Sequence, residues 1–105
     1  MKESDKLLRT KLNLETAQLP WTELLRQFAA GNVVAVSAEL DLVEVALHMA
    51  QDNKEQIAQW LVQDRIAKVS DAQAQAWLDS DASLWTVVVK PWVLVQMRTN
   101  NPNQA

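Results

Sequence analysis

The stretch Leu84–Met97 constrains the fold more than any other part of the chain. Val87, Val88, Val89, Val93, Leu94 and Val95 flank Lys90-Pro91 with almost no polar interruption. Successive residues of a strand point to opposite faces of a sheet, so apolar residues at both parities require cover on both sides. Pro91 offers no N–H to a ladder and cannot take the positive φ that primed hairpin turns demand. The pattern therefore predicts one long strand bent at Pro91, with that nitrogen facing outward at an edge or bulge.

The remaining elements follow from periodicity and caps. Lys6 to Gln18 reads as a helix with Leu8 and Leu12 on one side. Pro20 suits the first turn of a second helix, in which Trp21, Leu24, Leu25, Phe28 and Ala29 recur at helical spacing. Gly31, the only glycine, follows as a left-handed stop. Val33 to Ser37 is β-branched and reads as a strand. Asp41, Asn53 and Ser70 each precede an amphipathic run and open helices at about Leu42, Lys54 and Asp71. Ile66 to Val69 is a further short strand. The expected fold is α+β, a three-stranded and mostly antiparallel sheet packed by five helices. Its element order is that of a winged helix with a helix in place of the wing. One domain spans residues 1–98, and the polar residues 99–105 read as a disordered tail.

Composition removes several function classes. The chain of 105 residues has no cysteine, which excludes thiolate metal sites and a thiol nucleophile. A single glycine excludes a phosphate-cradling glycine loop. No signal peptide or membrane-length apolar run is present, so a cytoplasmic protein is expected. No cofactor is implied. Net charge is -3, and residues 31–84 carry three basic side chains against nine acids, which disfavours a nucleic-acid backbone as partner.

Glu44, His48 and Asp52 stand four residues apart and are expected to stack on one face of the same helix, opposite Leu42, Val45 and Met49. These residue types suit acid–base chemistry or a metal, but the same spacing describes an ordinary solvated face. The serines Ser37, Ser70, Ser80 and Ser83 have no glycine-flanked motif around them. A helix-turn-helix reading of the corner at Asp52-Asn53 would rely on Lys54, Arg65 and Lys68 for phosphate contacts, with Glu55 and Asp64 opposing them. Lys2, Lys6, Arg9 and Lys11 would supply a diluted basic arm. The apolar alternative places a contact surface on Trp21, Trp85, Trp92, Val93 and Val95, since tryptophan anchors many interfaces.

The segments Lys11-Leu12-Asn13-Leu14-Glu15-Thr16-Ala17, Pro20-Trp21, Leu40-Asp41-Leu42-Val43-Glu44-Val45-Ala46, Gln59-Trp60-Leu61 and Pro91-Trp92-Val93-Leu94-Val95-Gln96 together resemble a bacterial family of small proteins, domain of unknown function 2288. The resemblance spans most of residues 8–97. It implies a bacterial, cytosolic, stand-alone domain and brings no activity, ligand or catalytic residue. The function expected from the residues is thus a non-enzymatic protein–protein interaction module, a candidate homodimer through the bent strand and its tryptophans. Nucleic-acid binding and an enzyme built on Glu44, His48 and Asp52 are the alternatives.

Overall fold

The computed structural model describes residues 3–97. Among them the chain runs α1 (Glu3–Glu15), β1 (Ala17–Pro20), a 3₁₀ turn (Trp21–Leu24) leading into α2 (Leu25–Ala29), and β2 (Val33–Val36). It continues through α3 (Leu42–Ala50), α4 (Lys54–Val62), β3 (Ile66–Lys68), α5 (Asp71–Asp79), β4 (Ser83–Val89) and β5 (Trp92–Gln96). The expected tail, residues 99–105, lies outside the described residues.

The α+β class holds, but the expected three-stranded sheet is corrected to five strands in the order β1-β4-β5-β2-β3. The sheet is mixed, with β2 and β5 parallel and the other neighbours antiparallel. One cause is at Pro91. The Val-rich stretch is a hairpin, not a bent strand, with Val88 opposite Val93 and Val87 opposite Leu94. The Lys90–Pro91 peptide is cis, and a turn with cis-proline at its third position needs no positive φ. The other cause is β1, which has no β-branched residue. Ala-Gln-Leu-Pro is a strand because it lies along β4, Ala17 opposite Thr86 and Leu19 opposite Leu84. With five strands and helices on both faces of the sheet, the winged-helix order does not describe this architecture.

The hairpin occupies the middle of a three-layer sandwich. On one face Val87, Leu94, Val34 and Ile66 pack beneath Leu12 of α1, Val45 and Ala46 of α3, and Trp60 of α4. On the other, Leu84, Val93, Val95 and Val33 meet Trp21, Leu24 and, from α5, Ala74 and Trp77. Leu84, Val45, Leu94 and Val95 are fully buried. The two-sided cover inferred from the valine run is therefore supplied by different helices on each face.

Every helix from α3 to α5 begins on a side-chain cap. Asp41 accepts from the Val43 N–H at 2.9 Å, Asn53 from Gln56 at 3.3 Å and Ser70 from Gln73 at 3.1 Å. The helices end alike. After α2, α3, α4 and α5 one residue turns left-handed: Gly31 (φ 80°), Asp52 (φ 56°), Asp64 (φ 60°) and Asp81 (φ 54°). In each case the next residue's N–H reaches back to the carbonyl five positions earlier, as Asn32 to Gln27, Asn53 to His48, Arg65 to Trp60 and Ala82 to Trp77. These are four Schellman ends, of which only one uses glycine.

A Cβ added at Gly31 would meet no atom within 4 Å, so any cost of substitution lies in the backbone alone. Gly31→Ala is expected to lower stability by about 1 kcal/mol and Gly31→Asn by less, because asparagine tolerates the left-handed region. Urea titration with an unchanged slope and a lower midpoint would report this.

Candidate functional site

The turn between β4 and β5, the start of β5, the end of β3 and one side of α4 border a half-open cavity of about 630 Å³. Buried Val34 and Ile66 lie at its base, with Ile57 and Trp92 on its sides. Its position follows from how α4 is seated. Trp60 of that helix is driven into the core, 9% exposed, while Leu61 beside it remains 52% exposed. The apolar stripe of α4 is thus wider than the core beneath it, and the surplus faces the cavity.

Lys54 from the first turn of α4, Lys68 from the end of β3 and Lys90 from the hairpin turn also line the cavity, together with Asp52. The Lys68 ammonium lies 5.5 Å from the centre of the Trp92 ring, a cation–π contact that holds its charge at the wall. Lys54 stands 3.9 Å from Asp52, with the two side chains 84% and 79% exposed, a pairing that solvent largely screens. Among the described residues, neither Lys68 nor Lys90 forms an ion pair with a carboxylate.

The three polar residues singled out by their spacing are not brought together. Helix α3 ends at Ala50, and Asp52 turns left-handed and leaves the face that carries Glu44 and His48. A different set forms. Arg9 of α1 hydrogen-bonds and ion-pairs Glu44 through its Oε1. The second carboxylate oxygen, Oε2, lies 3.0 Å from His48 Nε2, and His48 Nδ1 lies 2.9 Å from the Asn53 amide nitrogen. Asn53 has its oxygen committed to capping α4, so it presents N–H to His48. That arrangement fits the neutral imidazole with its hydrogen on Nε2, donating to Glu44. The ring also meets Trp60 edge-on at 5.4 Å. The Arg9 guanidinium, aided by His48 and opposed by partial burial, holds the Glu44 carboxyl below its ordinary range. Among the described residues no group of three His, Cys, Asp or Glu side chains is placed to hold a metal ion.

The tryptophans divide. Trp21 is 1% exposed, stacked edge-on against Phe28 and Trp77, and Val93 and Val95 are buried with it. Trp85 is half-buried against the α1/α3/α4 core, so only Trp92 of that set reaches the cavity. Of the cations weighed for nucleic acid, Arg65 is paired with Glu39 at 2.9 Å and Arg9 with Glu44, while Lys2 lies outside the described residues. The serines serve local structure: Ser70 caps α5, Ser37 accepts from the Glu39 N–H, and Ser80 donates to the Trp77 carbonyl. No helix among the described residues is long and apolar enough to cross a membrane. Lys90 and Ile57 are among the cavity residues to which sequence reasoning gives no functional weight. The available signal was the width of the α4 stripe, Ile57 to Leu61, beside a lysine at its start.

The model for the family described as a protein of unknown function (DUF2288) matches residues 7–97, and the chain belongs to that family. It is also similar to the NMR solution structure of PA1075 from Pseudomonas aeruginosa, at 44% identity over 95% of this chain and 93% of that one, with a TM-score of 0.79. No curated protein matches the chain. Neither similarity assigns an activity.

The ion pair at Glu44 carries a pH signature. Its carboxyl titrates lower in the folded chain than the ordinary 4.5, so its contribution is complete above that value and fades as pH falls through the lowered one. Because the group is more than a third exposed, the contribution should stay under about 1 kcal/mol. Glu44→Gln is expected to be slightly less stable than the native chain near neutral pH and to converge with it in acid, as read from denaturant midpoints across pH 3 to 7.

Proposed function

We propose that this member of the family is a non-enzymatic binding module of the cytoplasm that holds a small, largely apolar ligand in the cavity between α4 and the β4–β5 turn. The cavity itself carries this reading. Its volume of about 630 Å³ falls within the range of small-molecule sites, and charged side chains line it beside an apolar interior. The polar cluster at Glu44 supports binding over turnover. Both Glu44 oxygens and both His48 nitrogens are engaged in contacts joining α1, α3 and the α4 cap, which commits them to structure. The contact surface expected on several tryptophans narrows to Trp92, the one that lines the cavity.

A neutral apolar dye such as Nile red tests the reading without presupposing a charged ligand. The native chain should enhance its fluorescence saturably, with one site per chain. Ala58 lines the cavity from an exposed position on α4, so Ala58→Trp should fill the space without disturbing the core. This variant, shown to be folded by circular dichroism, is expected to bind the dye about tenfold more weakly. Absence of saturable enhancement in the native chain overturns the proposal. A dimer in sedimentation analysis that Ala58→Trp dissociates would overturn it in favour of a second copy occupying the cavity.

A further inference from the structure

We infer that the ligand is an amphipathic anion, its apolar body against Ile57, Ile66 and Trp92 and its anionic head among Lys54, Lys68 and Lys90. This rests on the cavity being the working site, and it adds the chemical class. Charge distribution is the first ground. The whole chain carries net charge -3, yet three of its ten basic side chains line this one cavity against a single carboxylate.

The second ground is that the three lysines come from separate elements, a helix start, a strand end and a hairpin turn, and share only the cavity. Lys68 is steadied over the Trp92 ring, so a cation and an aromatic wall are joined at one place. Lys54 begins α4, where the helix dipole adds positive potential for an anion. The third ground is the apolar base of the cavity. The apolar base disfavours a small inorganic anion, which would leave Val34, Ile57 and Ile66 uncovered.

Isothermal titration with three ligands of equal chain length separates the possibilities: decanoate, decanol and decyltrimethylammonium, each below its aggregation limit. Decanoate is expected to bind about tenfold more tightly than decanol, with the cationic amphiphile weakest. High salt should narrow the gap. The triple variant Lys54→Gln, Lys68→Gln, Lys90→Gln should bring decanoate down to the level of decanol. Equal affinity for decanoate and decanol overturns the anion inference while leaving the cavity as a binding site. Failure of all three to bind, together with failure of Nile red, removes the cavity reading as well. Co-sedimentation with phosphatidylglycerol vesicles in place of saturable decanoate binding overturns the inference in favour of a lipid surface.

Discussion

Burial of the β4–β5 hairpin on both faces is the constraint on which the rest of the molecule depends. Leu84, Val87, Leu94 and Val95 are almost wholly removed from water, and full burial of such a side chain contributes roughly 1.5–3 kcal/mol. A single helical layer would leave one parity of these residues exposed. The chain meets the requirement by sending α1, α3 and α4 to one face and the 3₁₀ turn, α2 and α5 to the other. The strands flanking the hairpin are short, four residues or fewer.

Short connections need left-handed corners, and this chain makes most of them without glycine. Asp52, Asp64 and Asp81 hold the position that Gly31 holds after α2, and each lets the following backbone N–H close a Schellman bond. Aspartate bears the left-handed region better than most side chains, since its short carboxylate bonds locally. Part of the acidity of the middle segment is therefore a by-product of helix termination. Asp52 illustrates how this misleads. Four-residue spacing places it in register with Glu44 and His48, but the helix stops two residues before it, and the left-handed turn redirects it to the cavity.

What could be read from the sequence was local or was set by composition. Asp41, Asn53 and Ser70 cap the helices they are expected to open, Gly31 is left-handed, and the valine run is covered on both sides except at Val88, which is exposed. The family resemblance agrees with the match over residues 7–97. Features that depend on distant pairing were not legible. β1 has no strand signal of its own, only an edge of β4 to lie along. The reversal at Lys90-Pro91 escapes the positive-φ rule for primed turns, since neither residue of this two-residue loop has positive φ. The sorting of the tryptophans required the fold: Trp21 is sealed by Phe28 and Trp77, whereas Trp92 begins an inner strand at the end of the sheet where the turn leaves it half open.

The polar chain and the cavity prove to be parts of one construction. Asn53 caps α4 with its oxygen and holds His48 with its nitrogen, and His48 is held in turn by Glu44 and, through it, by Arg9 of α1. Helix α4 supplies one wall of the cavity, and its first residue supplies one of the lysines. The angle at which that wall stands is consequently fixed from two directions, by Trp60 buried in the core beneath and by the capped, histidine-linked start of the helix. This gives the lone histidine a role that needs no chemistry at its ring: it ties the helix bearing Ile57 and Lys54 to the two helices behind it. A cavity lined from a strand end, a hairpin turn and a helix keeps its shape only if the helix cannot slide, and that restraint is what the polar chain contributes.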